Sequence, residues 1–232
     1  MEHLPNGFTL ELPEGTFPLS TDSMVLSFFL RLPKNAAVLD LGSGCGTLGL
    51  LLCSRDPGCT VTGIERDPKA HAAALENIRR NGLDCRMASI CGDLRSVSEL
   101  FSPGTFSCCV SNPPYFSGGP ASKATPTARR EDTCTPEDLF RAAAWALKFG
   151  GDFFLVHKPE RLAELIVRGA GHNLEAKELC LVRHKTGGPV NLILLRFRKG
   201  AKPGLVWDEI TLHNADGTVT EQYKEIYHVQ EA

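Results

Sequence analysis

Val38-Leu39-Asp40-Leu41-Gly42-Ser43-Gly44-Cys45-Gly46 decides the fold. An apolar run enters a turn in which every second residue is glycine. This is a buried strand delivering the chain into a tight turn. Glycine there permits positive φ and lets a ligand approach the backbone closely. The Leu-rich stretch 47–54 that follows reads as a helix, which completes a strand–turn–helix unit. Gly44-x-Gly46-x-x-Gly49 also fits the dinucleotide-binding fingerprint, with Glu65 spaced as a ribose acid. A strand–helix turn that holds no ligand fits the same letters.

Outward from the turn, strand-like and helix-like stretches alternate. Strands are expected at 36–41, 60–65, 86–91, 106–111, 152–157, 175–182 and 190–198. Asp67-Pro68 caps a helix that Gly82 closes, with Ala70, Ala74 and Ile78 on one face. Thr135-Pro136-Glu137-Asp138 opens a helix over 139–148 that Gly150-Gly151 ends, and a further helix covers 159–169. Repeated βα units predict an α/β fold, a parallel sheet with helices on both faces. The last two strands have no helix between them and predict an antiparallel C-terminal hairpin. Residues 116–134 are rich in Gly, Pro, Ser and Thr and read as a loop beside the site. Residues 205–232 read as an acidic extension with a turn at 214–217 and a short helix from Thr220.

The informative residues fall at strand ends. Glu65 ends the second strand, where a carboxylate can accept both hydroxyls of a ribose. Asp93 ends the third, placed either to accept an adenine amino group or simply to cap the helix that follows. Ser111-Asn112-Pro113-Pro114-Tyr115 ends the fourth. Two prolines remove two backbone donors and stiffen that turn. Asn112 Oδ1 and the Pro113 carbonyl can then both accept from one NH₂ group on a planar substrate, with Tyr115 as a flat face to stack on it.

Composition narrows the function. At 232 residues, with 42% hydrophobic and 22% charged residues, the chain suits one globular domain, neither a disordered tail nor a coiled coil. A formal charge of −2 excludes a nucleic-acid binder that works by overall basicity. No apolar run approaches the ~20 residues of a membrane span. The first ten residues carry no Lys or Arg ahead of their apolar positions, unlike a secretory signal. Nine cysteines, an odd number without a CxxC, predict reduced and mostly buried thiols in a cytoplasmic protein. The histidines lack metal-ligand spacing, so no metal is expected.

Taken together, the glycine turn, Glu65, Asp93 and Asn112-Pro113-Pro114-Tyr115 resemble the S-adenosylmethionine-dependent methyltransferases that act on amino nitrogens. The resemblance covers about 36–200. It implies a Rossmann-like, mostly parallel seven-stranded sheet ending in the antiparallel hairpin. It extends upstream to Phe17-Pro18-Leu19-Ser20-Thr21-Asp22, similar to the segment that closes over the cofactor. The layout, with the late Asp216-Gly217 and Tyr227, is most similar to the bacterial enzymes that methylate N6 of the anticodon-adjacent adenine of a valine tRNA. The resemblance implies one methyltransferase domain over 1–232: a cofactor-closing segment (1–35), the core (36–200) and the extension (205–232).

Carried over by residue, the resemblance implies that Asp40, Gly42, Gly44 and Gly46 line the methionine part of S-adenosylmethionine. Glu65 would hold its ribose and Asp93 its adenine, with Thr21, Asp22 and Asn112 adjoining. Asn112, Pro113 and Tyr115 would hold the target base. The implied partner is tRNA, through its anticodon loop, with no obligate protein partner and no membrane. Six basic residues and no acid lie between Leu179 and Trp207: Arg183, Lys185, Arg196, Arg198, Lys199 and Lys202. With Arg129-Arg130 they are candidates for RNA phosphate contacts, or else solvated faces. His157 and Lys158 end the next strand near the site, where a structural, a substrate-phosphate and a catalytic role are all open. Competing readings are a protein-glutamine methyltransferase, a methyltransferase of rRNA or DNA, a dinucleotide oxidoreductase and a non-catalytic RNA-binding module.

Overall fold

The computed structural model describes residues 2–4, 7–13, 19–113 and 134–228. A two-stranded ribbon, β1 (Glu2–His3) and β2 (Thr9–Leu10), precedes helix α1 (Thr21–Phe29). The alternation then runs β3 (Ala37–Leu41), α2 (Thr47–Arg55), β4 (Thr60–Glu65), α3 (Pro68–Arg80), β5 (Met87–Cys91). A 3₁₀ turn leads into α4 (Val97–Leu100), then β6 (Phe106–Ser111), α5 (Pro136–Ala146) and β7 (Leu147–His157). After α6 (Leu162–Gly171) come β8 (Leu174–Lys185), β9 (Val190–Lys199), β10 (Val206–His213) and α7 (Glu221–Tyr227).

The main sheet has eight strands in the order β10-β8-β9-β7-β6-β3-β4-β5. Only β9 runs against the rest, so the expected antiparallel hairpin is β8–β9. Seven strands were too few: β10 adds parallel to β8 at the sheet edge. The acidic pair Asp208-Glu209 hides a strand whose Ile210 and Leu212 are buried beneath Ile226 of α7. The expected turn and helix of that extension are present.

Strand side chains alternate between two cores, as a period of two requires. On β7, Phe154 and Val156 face α1, α2, α3 and α7, while Phe153 and Leu155 face α5 and α6. Helix starts follow the local signals. Asp67 accepts the Lys69 N–H to cap α3, and Thr135 and Asp138 form a reciprocal capping box on α5. The end of α5 differs from expectation. Helix stops at Ala146, and Gly150-Gly151 lie inside β7, where Gly150 takes φ +75° at a register shift against β6. All nine cysteines are free, six of them buried. Among the described residues no helix is long and apolar enough to cross a membrane.

Candidate active site

The chain order reverses between β3 and β6, neighbours at the centre of the sheet. In open α/β sheets ligands lie outside the carboxyl ends of the strands at such a switch point. Ser111 Oγ donates to the Leu41 carbonyl at 2.7 Å and locks the end of β6 to the end of β3. The glycine turn and Asn112 therefore leave the sheet side by side.

The turn is held from β4. Gly42 and Ser43 both donate N–H to the Ile64 carbonyl at 3.0 Å. Gly42, Gly44 and Gly46 take φ of +77°, +55° and +85°. A Cβ on Gly42 or Gly44 would meet nothing within 4 Å, so open space lies above the turn. Gly46 differs: its Cβ would meet Met87 at 2.8 Å, and the residue caps α2 in left-handed conformation. Its glycine is favoured by the left-handed backbone, whereas the Met87 methyl is the end of a flexible side chain that can give way.

Asp40 is 1% exposed, and among the described residues neither carboxylate oxygen has a hydrogen-bond partner. Burial, with a smaller contribution from the Glu65 charge, pushes its pKa up to about 8. Ser43 Oγ is likewise buried without a partner among the described residues. Buried polar atoms of this kind are normally satisfied. An orphaned carboxylate beneath an open glycine turn fits a ligand carrying a cationic donor, as the amino group of S-adenosylmethionine is.

Glu65 stands at the expected strand end. Its Oε2 accepts from Gly44 N at 2.8 Å and its Oε1 from Asp67 N at 2.7 Å. Each oxygen keeps a second lone pair for a hydroxyl donor. Asp93 accepts from Arg95 N at 2.9 Å and is gripped by the Arg95 guanidinium, 2.5 Å at the shortest. That guanidinium holds the Asp93 carboxyl below the usual carboxylate range. Asp93 is thus the cap of the following turn.

Asn112 is half-buried just beyond β6, followed by buried Pro113. Its Nδ2 donates to Ser23 Oγ at 3.0 Å. Ser23, 6% exposed on α1, went unread in the sequence; the only signal was its place in the Thr21-Asp22 segment. Burial pushes Asp22 above the usual carboxylate range, with the Lys158 ammonium pulling the other way. Thr21 Oγ1 accepts from Tyr227 OH at 3.3 Å, which ties α7 to the start of α1. His157 is buried and accepts from Lys158 N through Nδ1 at 2.8 Å. Burial lowers its pKa to about 4, so it stays neutral. Phe17, Tyr115, Arg129 and Arg130 lie outside the described residues.

The six basic residues are not one surface. Asp152 pairs with Arg198 and His157 with Ile193 across β7–β9. Asn112, one residue beyond Ser111, is level with Val156 and Leu194, so Arg196, Arg198 and Lys199 lie two, four and five residues, roughly 7, 13 and 16 Å, along the strand toward the opposite end of the sheet. Arg196 bridges Asp152 and Glu178, and Arg198 forks onto Asp152 at 2.8 Å. Lys199 Nζ caps the end of α5, donating to the carbonyls of Ala144 and Leu147. Arg183 pairs with Glu209 at 2.7 Å and with the Gly188 carbonyl. Lys185, at the far end of β8, is exposed on the Asn112 side of the sheet.

Fold and site define a methyltransferase. The chain belongs to the methyltransferase small domain family, whose model matches residues 20–176. It is similar to the tRNA1(Val) (adenine(37)-N6)-methyltransferase of Aeromonas hydrophila, 29% identical over 208 residues, 88% of this chain and 86% of that protein. The protein of the same name from Bacteroides fragilis is 27% identical over 95% of this chain and 94% of its own length. Among solved structures, a predicted O-methyltransferase from Agrobacterium tumefaciens superposes with a TM-score of 0.75 at 20% identity. That match covers 90% of this chain and 96% of the other.

Proposed function

We propose that the protein transfers a methyl group from S-adenosylmethionine to the exocyclic N6 amine of adenine in the anticodon loop of a tRNA. The observation that carries this reading is the position of Asn112. It leaves β6 beside the glycine turn, with its amide nitrogen already engaged by Ser23 at 3.0 Å. Two relatives named for this reaction, at 27–29% identity over most of the chain, support the choice of substrate.

S-adenosylmethionine supplies a methyl group already activated on a positively charged sulfur. Asp40, Gly42, Gly44 and Glu65 are the residues to hold it, with Asp93, Thr21 and Asp22 at its margins. The exocyclic amine is a poor nucleophile because its lone pair is delocalised into the ring. Asn112 Oδ1 and the Pro113 carbonyl accept its two N–H bonds and favour a pyramidal nitrogen with a directed lone pair. Positioning then does more than a strong base would. The neutral, buried His157 is consistent with that division of labour. Tyr115 is assigned the stacking face for the base. RNA phosphates are assigned to Lys185 and the Arg129-Arg130 segment rather than to Arg196, Arg198 and Lys199, which are engaged within the protein.

The test is to incubate the protein with methyl-labelled S-adenosylmethionine and separated RNA, DNA and protein pools, then digest the labelled pool. Label recovered as N6-methyladenosine from tRNA is the expected result. Methylated guanosine, or label confined to protein glutamine, overturns the adenine reading.

A further inference from the structure

We infer that Ser23 is a positioning residue for the methyl transfer, fixing which end of the Asn112 amide meets the substrate; this rests on the function proposed above. The residues lie 89 positions apart, yet Asn112 Nδ2 donates to Ser23 Oγ at 3.0 Å. An asparagine amide carries a donor end and an acceptor end on one rotatable bond. The Ser23 hydroxyl can give its own proton to Ser20 Oγ, 3.5 Å away, which leaves Ser23 Oγ as the acceptor for Nδ2 and Oδ1 as the end for the substrate amine. The reversed amide would set its own NH₂ against the substrate's NH₂, donor against donor, and the amine would lose one of its two acceptors.

The anchor is itself immobilised. Ser23 is 6% exposed and sits in the first turn of α1. Ser20 caps that helix by accepting the Ser23 backbone N–H at 3.3 Å. Two residues before Ser23, Thr21 accepts from Tyr227 of α7. The first turn is thus fixed by its own cap and by the C-terminal helix. Behind it, Met24, Val25 and Leu26 are buried in the core. Asn112 directly follows the Ser111–Leu41 lock, which holds the chain end that carries it.

The substitution that tests this is mild. Ser23→Ala leaves the cap intact, because the cap uses the Ser23 backbone, and alanine is at least as good a helix former. Ser23→Thr retains the hydroxyl. Single-turnover methylation is measured on whichever nucleoside wild-type protein modifies, together with S-adenosylmethionine affinity and thermal stability. Ser23→Ala is expected to lower kcat roughly 10- to 100-fold with cofactor affinity unchanged. Ser23→Thr should recover most of the rate.

A double-mutant cycle separates this role from a merely structural one. If Ser23 acts through Asn112, then Ser23→Ala adds nothing to the rate already lost in Asn112→Ala. Multiplying losses in the double variant, or an unchanged kcat in a folded Ser23→Ala protein, overturns the inference. Failure of the proposed function has a different signature: wild-type protein then modifies something other than adenine, and the same cycle is read on that product.

Discussion

Glu65 Oε2 accepts the Gly44 backbone N–H at 2.8 Å while Oε1 accepts that of Asp67 at 2.7 Å. One carboxylate thereby joins the end of β4 to the glycine turn after β3 and to the cap of α3. Glu65→Gln keeps one acceptor oxygen and presents an NH₂ group to an N–H at the other. It should cost about 1–2 kcal/mol in urea denaturation. Glu65→Ala should weaken S-adenosylmethionine binding by about 1.5–3 kcal/mol in calorimetry. Unchanged affinity in a folded variant would remove Glu65 from the cofactor site.

Asn112→Ala should reduce turnover by 10²-fold or more, on the order of ~3 kcal/mol of transition-state stabilisation. Cofactor affinity should scarcely change, since Asn112 is assigned to the base. A fall in cofactor affinity matching the fall in rate would place the side chain on the wrong ligand.

Asp40 gives a pH signature. Its native carboxyl is raised to about 8, against ~3.9 in an unfolded chain. Between those values the native state holds a proton that the unfolded state has released. The Asp40 contribution therefore favours the native state most below pH 4 and declines as pH rises toward 8. Without cofactor, Asp40→Asn should gain stability relative to wild type across that window. Parallel stability–pH curves for the two proteins would refute the shift. Binding of a cationic ligand near pH 7 should also release protons, visible as a buffer-dependent binding enthalpy.

The divided basic residues predict a divided phenotype. Arg196→Ala leaves Glu178 without its 2.5 Å partner and Asp152 with Arg198 alone. It should lower stability by roughly 1–3 kcal/mol without changing the salt slope of RNA binding. Lys185→Ala should leave stability unchanged and reduce that slope by about one. The opposite pattern in filter binding over a salt series would return the RNA to the Arg196 end of the sheet.

Ile226 of α7 is 3% exposed against the core. Ile226→Ala should cost about 2–4 kcal/mol, as large-to-small core changes do. Thermal unfolding that shows no loss would mean that the C-terminal helix is a loose appendage.

Much of the candidate site was written locally. The glycine turn, the caps at Asp67 and Thr135 and the strand ends at Glu65, Asp93 and Asn112 each depend on a few adjacent residues. Backbone conformation and N–H satisfaction are settled over such short spans, so these features could be read before any contact was known. The alternation of strands and helices gave the α/β class for the same reason.

Tertiary structure decided the rest. β10 is a strand because β8 offers it an edge and α7 covers Ile210 and Leu212; its own acids conceal the period. Gly150-Gly151 read as a helix stop, but pairing with β6 draws them into β7. Arg196 and Arg198 looked like a basic patch until the register of β7, β8 and β9 brought Asp152 and Glu178 beside them. Ser23 and Asn112 meet only because α1 packs against β7, the strand beside β6. Propensity and capping act over three or four residues, whereas ion pairing and buried hydrogen bonds are fixed by register and by which face a helix covers, and no local pattern specifies either.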